Sequence, residues 1–364
     1  MTDRPLVIIT TRLPPAACGV GTYSWLLRQR WPNKSRPVEF LVQENAAGAQ
    51  MTESGDRITA FDGSGARLFE ALERIGPADV LLHYAARGYH RVGCPVWMPR
   101  ALARWKMRNP RGRFFLFAHE LPAPFPIHSH HFWFAKVNEW IMRRLARLAD
   151  VLITNSENHV RQLRRLSGRD DVELLLVPSN IEPLYESTPA RARREFLIWG
   201  LPFGRLQTLQ LFDEHIRRWQ ADGVLTKLHV SGPQEGDFVA RAEALISQWP
   251  RPDVVQRHNA LGPTASARLL QSTGFALTNV SVETWSKSGV FMACAATRCP
   301  VVVKTKAETV PLCYTITPEE VASITDAEVE NRTAALEGWY RTNADWPVIA
   351  ARMAAIAEGA AHAR

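Results

Sequence analysis

The sequence predicts an α/β protein built from two doubly wound, Rossmann-like units, and three features of its 364 residues support this. Short apolar runs alternate with helical patterns through both halves of the chain. A polar segment from Glu182 to Arg194, rich in Pro, Ser and Arg, separates the two alternations. Polar side chains follow several predicted strands, where open α/β sheets bind ligands.

The first alternation contains six predicted strands and five predicted helices. The strands are Leu6–Thr10, Val38–Val42, Val80–His83, Phe114–Ala118, Val151–Asn155 and Glu173–Val177. The helices are Val20–Arg30, Ala66–Ile75, Trp97–Arg108, Phe134–Leu148 and Ser156–Leu166. Four strand ends are polar: His83-Tyr84, His119-Glu120, Asn155-Ser156 and Pro178-Ser179-Asn180.

The second alternation follows the polar segment. Its strands are Phe196–Trp199, Lys227–Val230, Val254–Arg257, Gly274–Val280 and Val301–Val303. Its helices are Thr208–Gln220, Phe238–Gln248, Thr264–Ser272 and Val290–Ala296, and two more, Ala327–Tyr340 and Trp346–Ala360, close the chain.

Composition and charge narrow the class of protein. Apolar residues make up 46% of the chain and charged residues 22%, which is typical of a soluble globular protein. The five scattered cysteines indicate free thiols in a reducing cytoplasm. The chain starts directly with a strand and has no long apolar run, so we expect neither a signal peptide nor a membrane span.

The net charge of +8 lies in the first half, where residues 1–185 hold 25 Lys and Arg but 17 Asp and Glu. Much of it falls in Pro99–Arg113 and Arg143–Arg169, two apolar-basic helical patterns. Nucleic acid, anionic lipid or a phosphate-bearing substrate could each explain it. The alternative is a solvated basic face without a partner. No helix-turn-helix, zinc or RNA-binding signature supports nucleic acid, so we expect none as a partner.

The stretch from Ala276 to Lys304 has the order strand, loop, helix, strand. Its loop opens a helix, where free backbone N–H groups and the helix dipole favour anions. Lys287 and Ser288-Gly289 could hold a phosphate there while Glu283 accepts hydrogen bonds from hydroxyls. This combination suits a nucleotide-sugar. The alternative is an ordinary turn with a solvated Lys and Glu.

The first loop, from Thr11 to Ser24, contains Gly19 and Gly21. It fits neither the dinucleotide fingerprint nor the Walker A loop. The two glycines would still let a ligand approach the backbone at a helix N-terminus.

These features together resemble the retaining GT-B glycosyltransferases of family 4 type, over nearly the whole chain. Glu283 matches the first Glu of the donor motif and Pro300–Val303 its closing strand, while Phe291 stands where the family has a second Glu. Arg205, in the segment Gly200–Leu206 that we predict as a loop, matches the arginine for the leaving diphosphate. Gln210 stands where the family has a Lys. His119-Glu120 resembles the loop that reaches the donor sugar, and the glycine loop resembles that of the N-terminal domain.

The resemblance implies two Rossmann-like domains facing a cleft: an acceptor domain at 1–183, a donor domain at 195–340 and a crossover helix at 341–364. It implies transfer of a hexose-type sugar from a nucleoside diphosphate to an acceptor hydroxyl, with retention and without a cofactor. Glu283 would orient the sugar and His119 would assist. The donor-binding set is Gly19, Gly21, Arg205, Gln210, Ser281, Lys287, Ser288 and Gly289. The absence of an Asp-x-Asp motif leaves phosphate stabilisation to Arg205, Lys287 and backbone N–H groups.

The expected acceptor is a saccharide or a lipid-linked substrate in polysaccharide or glycolipid assembly, on a cytoplasmic protein that binds the inner membrane face. Trp97, Leu102 and Trp105 interleave with basic residues in Pro99–Arg113 and could contact an anionic membrane, or could face the core instead. The loop Pro122–Trp133 is predicted to bind the acceptor or form a lid; its His128-x-His130-His131 is a weak metal signal. A degenerate glycosyltransferase-like protein that binds without catalysis is the alternative function.

Overall fold

A computed structural model describes residues 4–16, 18–43, 48, 50–185 and 190–359, except for the side chain of His130. Ala17, Ala360 and residues 186–189 of the predicted boundary lie outside the described residues. The chain divides into two compact units. Unit 1 is Met1–Leu176 with Ile349–Arg364, and unit 2 is Val177–Val348.

Unit 1 is organised around a seven-stranded parallel sheet in the order β3-β2-β1-β4-β5-β6-β7. The strands are β1 Leu6–Thr10, β2 Val38–Val42, β3 Arg57–Ala60, β4 Asp79–Tyr84, β5 Phe114–Ala118, β6 Val151–Thr154 and β7 Val172–Leu174. Strands β1, β4 and β5 are fully buried along their length, as strands covered on both faces should be.

The helices of unit 1 pack on this sheet. They are α1 Gly19–Gln29, α2 Gly65–Ile75, α3 Ala86–Tyr89, α4 Trp97–Arg108, α5 His130–Leu148 and α6 Glu157–Ser167. Ser64 and Ser156 cap α2 and α6 by accepting hydrogen bonds from backbone N–H groups of the first turn.

Unit 2 has a five-stranded parallel sheet in the order β10-β9-β8-β11-β12. The strands are β8 Ala192–Trp199, β9 Lys227–Ser231, β10 Val255–His258, β11 Thr273–Thr278 and β12 Val301–Val303. The helices are α7 Pro202–Ala221, α8 Asp237–Ile246, α9 Pro263–Ser272, α10 Gly289–Ala296, α11 Asp326–Asn343 and α12 Trp346–Glu358.

Most of α12, from Ile349 onward, belongs to unit 1. The Arg113 guanidinium donates to the carbonyls of Ala357 and Ile356, at 2.9 and 3.2 Å, and the Arg352 guanidinium donates to the Leu174 carbonyl at 3.1 Å. The Arg113 bonds satisfy carbonyls in the last turn that have no partner within the helix. The C-terminal helix is therefore anchored to unit 1, as the resemblance implies.

In each sheet the strand order reverses once, between β1 and β4 in unit 1 and between β8 and β11 in unit 2. Ligands of doubly wound sheets bind beyond the carboxyl ends of the strands at such a point. We call these two places the unit 1 edge and the unit 2 edge.

The doubly wound α/β fold class is confirmed, and every predicted strand and helix is present with ends shifted by a few residues. Two short elements, β3 and α3, were not predicted. The prediction of a loop over Gly200–Leu206 is wrong, because α7 begins at Pro202, which suits the first position of a helix. Helix α5 also begins four residues before the predicted Phe134, where the Ser129 hydroxyl caps it.

Candidate active site

Two glycines and one arginine form the floor of the unit 2 edge. Gly200 and Gly232 end β8 and β9 with φ of +124° and +135°, a conformation that side chains rarely adopt. A Cβ on Gly232 would lie 2.2 Å from the Gly200 carbonyl oxygen and 3.2 Å from Nη1 of Arg205. The two loops therefore touch directly above the Arg205 guanidinium.

Arg205 lies in the first turn of α7 and is 3% exposed. Its Nη2 donates to the Pro233 carbonyl. Its Nη1 is buried and has no hydrogen-bond partner among the described residues. Burial lowers the pKa of this guanidinium. An anion at Nη1 would complete the hydrogen bonding of a charge that is otherwise costly to bury.

The loop between β11 and α10 holds Glu283 and three of the eight predicted donor-binding residues, Ser281, Lys287 and Ser288. The Ser281 hydroxyl accepts from the Glu283 N–H at 3.3 Å, and the Ser281 N–H donates to the Thr284 hydroxyl at 2.9 Å. These hydrogen bonds between residues of the turn itself stabilise its conformation. The Glu283 side chain is exposed. Ser281 therefore shapes the turn, while Glu283 projects from it.

Helix α10 begins at this loop with an accessible N-terminus. The Ser288 hydroxyl caps the helix by accepting from the Phe291 N–H at 3.2 Å. No atom lies within 4 Å of the place that a Cβ on Gly289 would occupy, so the backbone there is open to a ligand. The exposed Lys287 precedes this opening. Backbone N–H groups, the helix dipole and one cation together suit a phosphate.

Two polar residues of the unit 2 edge were missed by sequence reasoning. The Asn279 amide donates to the Gln207 side-chain oxygen at 3.1 Å, joining the end of β11 to the second turn of α7. Gln210, the predicted residue, is exposed on α7 about 7.5 Å further along the helix axis than Arg205. Asn279 directly follows a buried strand, which was the available signal.

The unit 1 edge brings together polar ends of three strands. The side chains of His83 on β4 and His119 after β5 lie side by side, and the Asn155 amide after β6 donates to the His119 carbonyl at 3.4 Å. Ser179 instead belongs to unit 2, where its N–H donates to the Tyr340 hydroxyl. Three of the four predicted polar ends therefore meet.

His83 and His119 form a buried imidazole pair. Nδ1 of His83 and Nε2 of His119 lie 2.8 Å apart. The Phe117 ring stacks on His119 at 4.2 Å between centroids, and Tyr23 contacts the same ring by an edge at 5.1 Å. Burial, helped by the charge of His159, lowers the pKa of His119 to about 3. Both rings are therefore neutral at neutral pH.

The glycine loop of unit 1 has two distinct parts. A Cβ on Gly21 would lie 1.6 Å from the Arg12 carbonyl oxygen, so contact within the chain itself requires this glycine. No atom lies within 4 Å of a Cβ on Gly19, the first residue of α1, and the backbone there is open. Cys18 caps this helix, with its sulfur accepting from the Gly21 N–H. Gly19 is thus the better candidate for ligand contact.

An open groove of about 830 Å³ lies in unit 1 beside the loop that follows His119. The loop and helices α5 and α6 form its walls. Two aromatic residues and four cations line it: Phe125, Phe132, Lys136, Arg143, Arg161 and Arg165. Glu139 is the one acidic residue of the lining. Glu139 pairs with Lys136 at 3.0 Å and with Arg143 at 2.5 Å. The groove is therefore cationic overall and suits an anionic ligand with an apolar part.

Of the two alternatives for the apolar residues that interleave with the basic residues of Pro99–Arg113, the structure favours packing against the core. Met98, Leu102 and Trp105 of α4 are completely buried in the unit 1 core. A different helix exposes apolar side chains. We define the α5 surface as the exposed residues Trp133, Phe134, Val137, Trp140, Arg143, Arg144 and Arg147.

The residues that the structure describes contain neither a cluster of potential metal ligands nor a membrane-spanning helix. No group of three or more His, Cys, Asp or Glu side chains among them is placed to hold a metal ion. None of the described helices is long and apolar enough to cross a bilayer.

Comparison with known proteins identifies the fold to which this architecture belongs. Residues 18–180, under half of the chain, match the family described as glycosyl transferase 4-like domain. The structure is similar to that of HepE from Anabaena, solved with UDP and glucose, with a TM-score of 0.68 at 10% identity over 98% of this chain and 99% of that one. The fold is that of the GT-B glycosyltransferases.

Two further GT-B structures are similar over nearly their whole length. WaaG, a glycosyltransferase involved in lipopolysaccharide biosynthesis, has a TM-score of 0.64 at 12% identity, covering 96% of this chain and 99% of that one. The α,α-trehalose 6-phosphate synthase from Burkholderia multivorans has a TM-score of 0.64 at 11% identity, covering 99% and 100%. No curated protein matches the sequence significantly. The domain match and the GT-B fold support glycosyl transfer as the general class of activity.

Phe291 differs in chemistry from the residue that the GT-B resemblance implies at its position. This residue stands at the position of the second Glu, and its side chain is completely buried, with its ring 6.1 Å from that of Trp285. A buried apolar ring cannot accept hydrogen bonds from ribose hydroxyls. Exposed polar groups of the unit 2 edge include Glu283 on the loop, Asn279 after β11 and Gln207 on α7.

Proposed function

We propose that this protein transfers a sugar from a nucleoside diphosphate sugar to an acceptor hydroxyl, with retention of configuration and without a metal ion or other cofactor. The observation that carries the proposal is the open N-terminus of α10 beside Lys287 and Glu283, at the switch point of the unit 2 sheet. A diphosphate and a sugar need an anion site next to a hydrogen-bond acceptor, and both are supplied here.

In this proposal the charged and polar groups of the site have different roles. The N–H groups of α10, Lys287 and Nη1 of Arg205 stabilise the leaving diphosphate as its negative charge grows. Glu283 accepts hydrogen bonds from the sugar hydroxyls and orients the ring. The departing phosphate oxygen takes the proton of the acceptor hydroxyl, so a separate general base is not required. His119, neutral because it is buried, contributes a hydrogen bond at the sugar.

The proposed acceptor is a phosphate-bearing saccharide or lipid-linked substrate, used in polysaccharide or glycolipid assembly. Its support is the cationic, aromatic-lined groove of unit 1. The α5 surface supports peripheral binding to an anionic membrane, because exposed aromatic side chains are followed there by three arginines, and the Arg144 guanidinium lies 5.5 Å from the centroid of the Trp140 ring.

A thermal-shift screen against nucleoside diphosphates and their sugars tests the donor part of the proposal. A ligand that binds only the native protein raises the melting temperature with concentration. We expect one nucleotide series to raise it, and to raise it less in Lys287→Ala. Stabilisation without any turnover of the same sugars would favour the alternative, a degenerate binding protein, for which the loss of the second Glu at Phe291 is the specific observation.

A further inference from the structure

His83 is buried without an evident packing reason for being polar. Its side chain is completely inaccessible, on the central strand β4. Its Nε2 is buried and has no hydrogen-bond partner among the described residues. An apolar ring of similar size would avoid this unsatisfied nitrogen. Among the described residues, the side chain has one hydrogen bond, which joins its Nδ1 to Nε2 of His119.

The ring plane of His119 is fixed by its neighbours. Phe117 stacks on it at an interplanar angle of 14°, and Tyr23 meets it nearly edge-on at 71°. These contacts hold the plane but do not distinguish the two ring nitrogens, because a half-turn of the ring preserves the same apolar contacts. The hydrogen bond from His83 does distinguish them. It turns Nε2 inward and leaves Nδ1 as the nitrogen available to a ligand.

We infer that His83 is a positioning residue, which holds the His119 ring in one orientation, couples its tautomer to that of His83, and so presents Nδ1 to the sugar. The inference rests on the proposed function, since it assumes that His119 acts at the donor sugar. Because both imidazoles are neutral, a single proton is shared between His83 Nδ1 and His119 Nε2. The tautomers of the two rings are therefore coupled: when His83 Nδ1 donates, His119 carries its proton on Nδ1, and when His119 Nε2 donates, Nδ1 is an acceptor.

The variant His83→Phe keeps an aromatic ring in the pocket and removes the hydrogen bond. We expect kcat to fall about 10-fold or more, the usual scale when the partner that orients a functional histidine is lost, while the KM for the donor changes less than about 2-fold. We also expect the melting temperature to change little, since the variant removes one unpaired buried nitrogen, Nε2 of His83, and leaves Nε2 of His119 without its partner. His83→Gln retains an amide at this position and should recover part of kcat.

A spectroscopic measurement follows the ring directly. The ¹⁵N chemical shifts of His119 in the free wild-type protein should report one tautomer from pH about 8 to 5, and in His83→Phe they should move toward the tautomer average. The matched control is His258→Phe in unit 2, which removes one member of another imidazole pair, 2.9 Å apart. This variant should leave both kcat and the His119 shifts unchanged.

The outcomes separate the two proposals. If wild type turns over a nucleotide-sugar, and His83→Phe has the same kcat and the same His119 shifts, the positioning role is refuted and the proposed function stands. A parallel loss of kcat and melting temperature in His83→Phe, with unchanged shifts, would also refute it by showing a merely structural role. If wild type turns over no nucleotide-sugar, the proposed function fails and the catalytic role of His83 fails with it.

Discussion

The two edges differ in how far their polar side chains are buried. At the unit 1 edge His83 is completely buried and His119 is 9% exposed, so protein contacts fix both rings before any ligand arrives. At the unit 2 edge Ser281, Glu283 and Lys287 are exposed on one loop, and Arg205 alone among the predicted donor side chains is buried. The first arrangement is pre-organised by packing, whereas the second depends on the ligand to order its charges.

The histidines extend this contrast. The pair His229 and His258 of unit 2 is anchored by a carboxylate, since Nε2 of His229 lies 2.9 Å from the Glu195 carboxylate. Lys227 and His229 together hold the pKa of Glu195 below its usual value, against the opposing effect of burial. The pair in unit 1 has no such anchor among the described residues, and its neutral state depends on burial. Two imidazole pairs of similar geometry are therefore stabilised differently: a carboxylate anchors the pair in unit 2, and burial keeps the pair in unit 1 neutral.

The largest expected effect is at the exposed carboxylate. Glu283→Ala should lower turnover roughly 100-fold, the scale for losing one preorganised polar contact in a transition state. Its melting temperature should not change, because the side chain is exposed. Steady-state kinetics and a melting curve measure both. Glu308→Ala, another exposed glutamate of unit 2, is the control, and turnover near wild type in Glu283→Ala would remove Glu283 from the site.

The next effect distinguishes the buried Arg205 from the exposed Lys287. Arg205→Ala and Lys287→Ala should each weaken nucleoside diphosphate binding by about 1.5–3 kcal/mol, because each removes a charged partner of the phosphates. Only Arg205→Ala should also lower the melting temperature, since the Pro233 carbonyl then loses its donor. Titration calorimetry measures the affinities. Equal affinity in wild type and both variants would place the phosphates elsewhere.

The third effect concerns the α5 surface. Wild type should co-sediment with anionic liposomes at low salt, and the double variant Arg143→Ala/Arg144→Ala should lose about 2 kcal/mol of binding, at about 1 kcal/mol for each basic residue. Met107→Ser on α4, which changes a side chain that is 74% exposed, is the matched control and should sediment as wild type. Protein that stays in the supernatant with anionic and neutral lipids alike would contradict membrane binding.

The last effect is on stability at acid pH rather than on activity or binding. Burial holds the pKa of His83 and His119 below the value of about 6.5 in the unfolded chain. Below pH about 6.5, and down to about 3 for His119, the unfolded chain therefore binds protons that the native protein does not. Each group then lowers the free energy of unfolding by up to about 1.4 kcal/mol per pH unit as pH falls. Melting curves at pH 7 and 5 measure this loss.

The double variant His83→Phe/His119→Phe should lose less stability than wild type over the same pH range. His258→Phe should have a smaller influence, because His258 is only partly buried and its pKa is lowered less deeply. An equal pH dependence in wild type and the double variant would show that the unit 1 pair is not held neutral by burial.

Sequence patterns predicted the fold well because buried parallel strands are near-continuous apolar runs. Strand β3 was missed since its four residues, Arg57–Ala60, are polar at one end and largely exposed. The early start of α7 was missed although Pro202 is a good first helical residue. The exposed apolar residues of α5 have helical spacing, which a sequence cannot distinguish from a core-facing stripe.

The candidate site was predicted in part. Polar residues at strand ends indicated His83, His119 and Asn155, because parallel strands bring their carboxyl ends to one edge. Two other features depend on tertiary packing between separate segments of the chain. They are the contact with the Arg12 carbonyl that requires a glycine at Gly21, and the contact of Asn279 with Gln207. The buried state of Arg205 likewise follows from the contact of the Gly200 and Gly232 loops, which no local pattern encodes.

The central claim is transfer of a sugar from a nucleoside diphosphate to an acceptor. Release of nucleoside diphosphate from a panel of UDP-, GDP-, ADP- and TDP-sugars, with a chelator present and with glycolipid or saccharide acceptors added, tests it most directly. The account predicts turnover of at least one donor by wild type, undiminished by the chelator, and roughly 100-fold slower turnover by Glu283→Ala. Absence of turnover with every donor, or full activity in Glu283→Ala, would contradict it.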